Sequence, residues 1–304
     1  GCMAIGGEWD FNPLTKDQIQ HAFAAVDAAL EAGITVFDHA DIYRMGKAEQ
    51  AFGEVLKARP NLREEIVLQS KCGIRFEDEH GPKRYDFSKD WIVTSVENTL
   101  SRLNTEYLDL LLLHRPDPLM EEEEVAAAFD ALFDSGKVKH FGVSNMSGVQ
   151  MQHLNHYINQ PLIANQVEMS LTNLGFVDEG IYVGNPDGQH VNFTAGTLQY
   201  AKQNNIQMQS WGPASQGKYT GAPATLTAQE EATKKLVATL AQKYGVATDA
   251  IVLAWLMRHP SNIQPIVGSA NPKRIKASAE AVTVTLTRED WYALYVSAKG
   301  VELP

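Results

Sequence analysis

From Thr15 to Ala298 the chain alternates between short apolar runs and longer stretches whose apolar residues recur every three or four positions. This alternation constrains the fold more than any other feature. Parallel neighbouring strands need a crossover, usually a helix, and those helices must bury their apolar stripes on the sheet. The strand-like runs are ITVFD, EIVLQSK, YLDLLLLH, KHFGVS, LIANQVE, IQMQSW and IQPIVGS, and the opening GCMAIGG reads as the end of one more strand whose beginning is missing. Unbroken Leu110 to Leu113 is the pattern of a strand buried on both faces.

Helix signals fill the gaps. A Thr15/Gln18 capping box opens a helix that Gly33 ends, and AEQAFGEVLKA and KDWIVTSVENTLSRL are helical in period, the second stopping near Asn104. A helix from about Val125 to Phe133 follows, with Glu121 to Glu124 as its solvated acidic start. Ser147 caps GVQMQHLNHY, AGTLQYAKQN is helical, and a Thr227/Glu230 capping box leads a helix to Gly245. Another runs from about Thr248 to Arg258 and stops at Pro260, and Asn271 with Pro272 opens the next. Eight strands alternating with helices over 304 residues predict an α/β fold, a (β/α)8 TIM barrel forming one domain over residues 1–304, with TREDWYALYVSA as an additional C-terminal helix. A doubly wound sheet usually carries G-x-G-x-x-G after its first strand, and none lies in a strand-to-helix setting here.

The net charge of −11 opposes binding to nucleic acid or anionic lipid, so an anionic ligand needs a local basic patch. Cys2 and Cys72 have no metal-ligand spacing, which fits a reduced cytoplasmic setting and no metal. No apolar stretch has bilayer length, and no basic segment leads into an apolar one at the start. A monomer acting on a small molecule is expected.

In such a barrel, chemistry sits at the C-terminal ends of the strands. Those ends carry Asp38 with Tyr43, then Lys71, His114, Ser144 with Asn145, Gln166 with Glu168, and Trp211. A tyrosine donates a proton poorly near neutrality unless a cation favours phenolate and lowers its pKa from about 10. Lys71 is placed to be that cation, Asp38 to keep it charged, and His114 to polarise a carbonyl oxygen that Tyr43 protonates.

Asp38, Tyr43, Lys71 and His114 resemble the catalytic tetrad of the aldo-keto reductases, and the resemblance covers nearly the whole chain. FDHADIY is similar to that family's D-x-A-x-x-Y, LQSK to its lysine strand, DLLLLHRPD to its histidine strand, and GVSN and NQVE to its two nicotinamide-site strands. The resemblance implies NADP(H), bound extended and without a Rossmann domain. Ser144, Asn145 and Gln166 would hold the carboxamide, and Trp211 would stack on the nicotinamide. Gly212, Pro213, Ala214 and Gly217 would follow the pyrophosphate; Val267, Gly268, Ser269, Asn271, Arg274 and Ser278 would hold the adenosine end; Met3 and Asp38 complete the contacts.

The residues speak for part of this themselves. Ser269 and Asn271 precede a helix N-terminus, which attracts anions, and the planar fork of Arg274 suits a phosphate. A basic patch there favours the 2′-phosphate of NADPH over NADH. His39 replaces the family's common threonine, Gly212 a common serine, and Gly268 a lysine some members have, which makes NADPH preference less secure than nicotinamide use; Arg115 in place of tryptophan marks a different substrate pocket.

The activity implied is reversible NADPH-dependent reduction of an aldehyde or ketone to an alcohol, with Tyr43 as general acid. The alternative is a cofactor-binding, redox-sensing subunit with little turnover, as in the potassium-channel β subunits that resemble this family. A metal hydrolase using Asp38, His39 and His114 is disfavoured, since no H-x-H follows strand one. His39, His140 and His153 are expected to be hydrogen-bonded or surface residues, and GFVDEGIYVGNPDGQHVNF to be a loop over the barrel mouth.

Overall fold

The computed structural model describes residues 1–222 and 225–304. They form two compact units, one of Gly1–Asn165 with Ser269–Pro272 and one of Gln166–Gly268 with Lys273–Pro304. A seven-stranded sheet follows chain order: β1 (Val36–Asp38), β2 (Val67–Cys72), β3 (Leu108–Leu113), β4 (Val138–Ser144), β5 (Leu162–Glu168), β6 (Gln207–Trp211) and β7 (Gln264–Pro265).

In the first unit β1 to β4 pair in parallel, with Asp38 opposite Gln69, Lys71 opposite Leu112, and Leu112 opposite Gly142. Leu110 to Leu113 are all buried, as their unbroken run predicts. Leu110, Leu112 and Ala164 form an apolar cluster. Gly142 adjoins two of its members: an added Cβ would come within 2.6 Å of both the Ala164 carbonyl and Leu112. The helix Lys16–Glu31 opens with both bonds of the Thr15/Gln18 capping box and buries Ala22, Ala25, Val26, Ala28 and Ala29. Ser88 caps Lys89–Leu103, which ends at left-handed Asn104.

In the second unit the helix Ala228–Tyr244 opens with the Thr227/Glu230 capping box and ends at left-handed Gly245. Thr248–Met257 is buried almost throughout, and Arg288–Lys299 packs on it by a Trp255–Trp291 stack with centroids 5.2 Å apart. Each of these indoles also donates to the other's backbone carbonyl, at 3.1 and 2.9 Å, so buried Trp255 and half-buried Trp291 stack without orphaned N–H groups.

Three expectations change. The opening segment is not a strand: Cys2 N–H donates to the Asp38 carbonyl at 2.7 Å, and then a turn closed by Ile5 N–H on the Cys2 carbonyl bends the chain. The last strand shrinks to two residues because Pro265 contributes no ladder donor. The segment from Gly175 is not a free loop. It forms the helix Gly175–Ile181 and a 3-10 turn over Pro186–His190. Phe176 lies against Trp255 and His259, with centroids 5.7 Å away in each case. Asp178 accepts from Tyr295 and Lys299, both at 2.6 Å. A buried ring and a buried carboxylate both require partners; Trp255 and His259 supply them for the ring, and the C-terminal helix supplies them for the carboxylate.

Candidate active site

Strand register brings the first two site residues together. Asp38 ends β1 opposite Gln69, and Lys71 stands two residues further along β2, hence on the same face. Lys71 Nζ lies 2.7 Å from Asp38 Oδ1, 2.8 Å from the His39 carbonyl and 3.0 Å from the Tyr43 hydroxyl. An ammonium has three protons, so each has an acceptor. The Tyr43 oxygen therefore accepts from Lys71, and its own proton must point elsewhere. Tyr43 begins a tight turn after β1, set by its N–H on the Ala40 carbonyl at 3.0 Å. His114 follows β3, with its N–H on the Cys72 carbonyl at 2.9 Å, and its ring stands at 81° to that of Tyr43 with centroids 6.1 Å apart.

Burial decides the protonation states. Asp38 and Lys71 are 2% and 1% exposed. Burial alone would strip the proton from Lys71, but Asp38 and then Tyr43 reverse this and hold its pKa above the ordinary value. For Tyr43 the outcome departs from expectation. Burial raises its pKa, and the opposing pull of Lys71 does not overcome it, so the group stays a neutral phenol with a proton to give. His114 is pushed down to about 3, first by burial and then by Lys71, and is a neutral imidazole near neutrality. Its Nδ1 is buried with no hydrogen-bond partner among the described residues.

Neighbouring groups fix this set. Gln69 donates its amide to Asp38 Oδ1. Asn145, in the left-handed region at φ 60°, donates to the His114 carbonyl at 3.2 Å and to Ser144 Oγ at 2.8 Å, which ties the ends of β3 and β4 together. His39 is not the hydrogen-bonded residue expected. Both its nitrogens are buried without partners, burial pushes it down to about 3, and it packs edge-on against Phe52 with centroids 4.8 Å apart. Its contribution is its carbonyl, held on Lys71. His140 is exposed, and His153 lies 3.0 Å from Glu122.

Gln69 and the His39 carbonyl were not among the sequence candidates. Gln69 had a signal, since it stands two residues before Lys71 and so shares its face. A backbone acceptor has none.

In the second unit Gln166 donates to Gln209 at 3.0 Å and Gln209 to Gln264 at 3.2 Å, an amide relay across β5, β6 and β7. After Trp211 the chain enters the left-handed region at Gly212, Ser215, Gln216 and Gly217 (φ 65°, 49°, 55° and 83°), while Pro213 is buried and Ala214 half-buried. A Cβ on Gly217 would sit 3.3 Å from the Arg274 guanidinium and 2.8 Å from Ala222, so glycine lets the guanidinium lie against this backbone. Arg274 is not a free fork. Its Nη2 donates to Asp249 at 2.7 Å and to Thr220 at 2.8 Å, which fixes its orientation. Ser278 is buried, Val267 half-buried and Gly268 exposed. In the first unit Ser269 Oγ accepts from Asn271 N–H at 3.1 Å, and Met3, 49% exposed, has its carbonyl held by Arg44 at 2.9 Å.

In the first unit, a phenol that keeps its proton and a neutral imidazole beside it suit a carbonyl oxygen; in the second, a glycine cradle lies against a guanidinium. Comparison with known proteins agrees. The sequence profile of the aldo/keto reductase family matches residues 1–295. The chain belongs to this family.

Among curated relatives of the reductase, the 6-dehydroglucose reductase of Agrobacterium fabrum is 36% identical over 100% of this chain and 94% of its own. The uncharacterized oxidoreductase YcsN of Bacillus subtilis is 35% identical over 99% and 95%. An aldo/keto reductase from Klebsiella pneumoniae, solved with NADP and acetate, superposes with a TM-score of 0.71 at 25% identity, covering 96% of this chain and 89% of its own. The glycerol dehydrogenase of Gluconobacter oxydans gives 0.78 at 24% identity over 97% and 88%, and shares the fold. The reductase accordingly has the (β/α)8 barrel architecture of its structural neighbours.

Proposed function

We propose that this reductase uses NADP(H) to reduce an aldehyde or ketone reversibly to an alcohol, with Tyr43 as the proton donor. When bound, the nicotinamide supplies a hydride to the carbonyl carbon. Ser144, Asn145 and Gln166 would hold its carboxamide, the Trp211–Gly217 segment its pyrophosphate, and Ser269, Asn271 and Arg274 the 2′-phosphate. His114, neutral, orients the carbonyl oxygen through a ring N–H. Tyr43 gives that oxygen its proton, and the charge left on the phenolate is stabilised by the ammonium 3.0 Å away. Asp38 and the His39 carbonyl keep the ammonium charged and in place.

The observation beneath this reading is that all three protons of Lys71 are committed, which turns the phenol's own proton outward. The test uses purified protein with NADPH or NADH and a panel of aldehydes and ketones, including a sugar aldehyde, since a relative is named for reducing 6-dehydroglucose. Tyr43→Phe should leave NADPH binding, followed by fluorescence titration, unchanged and lower turnover by roughly 10²- to 10⁴-fold. Unchanged turnover in that variant would overturn the proton-donor role. Wild-type protein that binds NADPH yet performs no multiple turnovers would favour a redox-sensing subunit.

A further inference from the structure

We propose that the second unit carries a binding pocket, separate from the reductase site, for an anion with a flat aromatic body. A cavity of about 590 Å³ lies there, within the size of ordinary small-molecule sites. Its lining shares no residue with the tetrad or with the positions assigned above to the dinucleotide. Buried Phe176 and Leu198 give it an apolar floor, and the half-buried rings of Trp291 and Tyr292 give it a flat wall.

The charges lining this cavity are unusual for the protein. Lys202, Arg258 and Arg288 all line it, and among the described residues none has a carboxylate within ion-pair range. Elsewhere in the same unit Lys243, Arg274 and Lys299 are paired with Asp290, Asp249 and Asp178. The one acidic residue in the lining is Glu179, whose carboxylate accepts from Gln199 at 3.3 Å. A chain with 37 acidic and 26 basic side chains has carboxylates to spare, yet three cations converge here with one. Because charge is screened beyond roughly 8 Å at physiological salt, this local excess outweighs the distant net negative charge for a ligand in the cavity.

Two polar groups are also set for such a ligand. His259 Nδ1 accepts from Ser261 N–H at 3.3 Å, which puts the ring proton of the neutral imidazole on Nε2. Burial, helped by Lys202, pushes His259 down to about 4, so it serves as a neutral donor. Arg258 spends Nε on the Leu286 carbonyl at 3.1 Å, and no bond engages its terminal nitrogens among the described residues. Three cations and a donor above an aromatic floor match a carboxylate or sulfonate on an aryl ring.

The probes are 2-naphthalenesulfonate and the neutral 2-naphthalenesulfonamide, titrated calorimetrically into full-length protein with and without saturating NADP+. The variant is K202Q/R288Q; both side chains are exposed and neither has an ion pair or hydrogen bond to lose among the described residues, and circular dichroism checks its fold. We expect the sulfonate to bind at least about tenfold tighter than the sulfonamide, and the variant to lose at least about tenfold in sulfonate affinity, as charge-assisted contacts require. NADP+ affinity should be unchanged in the variant, and NADP+ should not displace the probe. Equal affinity for the two probes, no binding up to millimolar concentration, displacement by NADP+, or undiminished binding in the variant each overturns the proposal. The readout is binding, so it stands or falls independently of carbonyl reduction.

Discussion

Replacing Asp38 with asparagine keeps the shape of the side chain and removes the carboxylate facing a buried ammonium. Lys71 and Asp38 have side-chain exposures of 1% and 3%, so water cannot substitute for the lost charge. Removing one partner of such a pair costs about 3–5 kcal/mol, or roughly 6–10 °C in Tm at roughly 2 °C per kcal/mol. The pH dependence carries the sharper information. In the wild type the folded pKa of Lys71 is raised, so its stabilising contribution is full below about 10.4 and is lost only as pH climbs through the higher folded value. Between pH 6 and 9 this group therefore gives no slope. In Asp38→Asn burial acts with little opposition, and the folded pKa falls below about 10.4. The folded protein then sheds the proton before the unfolded chain does. Stability should rise with pH between the two values, by up to about 1.4 kcal/mol per pH unit. Thermal unfolding of both proteins at intervals from pH 6 to 9, followed by circular dichroism, reads the difference directly. A deficit that stays constant across that window refutes the claim that burial, opposed by Asp38, governs the charge of Lys71.

Two further outcomes follow from the geometry. Since His114 is held down to about 3, the pH profile of kcat/KM for carbonyl reduction should show no ionisation near 6.5 that belongs to it; a limb there that disappears in His114→Asn would contradict the neutral imidazole. Gly142→Ala would force a methyl to within 2.6 Å of both the Ala164 carbonyl and Leu112, and should cost about 1–3 kcal/mol in urea unfolding; wild-type stability would show that β4 can shift to make room.

What could be read from the sequence was whatever depends on local pattern. The leucines of β3 announce burial on both faces, and the Thr15 and Thr227 capping boxes set helix starts with the bonds observed. The tetrad was legible because each member sits at a strand end, where an apolar run breaks into polar residues. What escaped depends on register and depth. Asp38 meets Gln69 only because β1 and β2 pair in that alignment. The rise in the pKa of Tyr43, against the pull of Lys71, reflects how far the ring is buried, which no spacing encodes. Asp249, 25 residues before Arg274, gives no sign in sequence that it occupies that guanidinium. Phe176 and Asp178 sit in a segment without periodicity, and their partners, Trp255 on the helix Thr248–Met257 and Tyr295 on the C-terminal helix, turn it into scaffold.

The turn after Tyr43 shows how the proton donor is held. Arg44, Met45 and Gly46 are all left-handed, with φ of 54°, 58° and 85°, and a non-glycine residue in that region costs on the order of 1–2 kcal/mol. Such a turn persists only if surrounding contacts over-determine it. Arg44 donates to the Met3 carbonyl at 2.9 Å and lies 5.4 Å over the Trp9 ring. Gly46 faces the side chain of Arg102, whose Nε donates to Glu49 at 2.7 Å, and the other oxygen of Glu49 accepts from Ser70 at 2.7 Å. Ser70 adjoins Lys71. The turn that carries Tyr43 and the strand that carries Lys71 are therefore joined by the hydroxyl–ammonium hydrogen bond, and beside it the end of the turn at Gly46 packs on Arg102, whose bonds lead through Glu49 to Ser70. Tyr43 therefore cannot swing off Lys71 without giving up a charge-assisted hydrogen bond in a buried setting, and the turn holds the phenol oxygen on the ammonium.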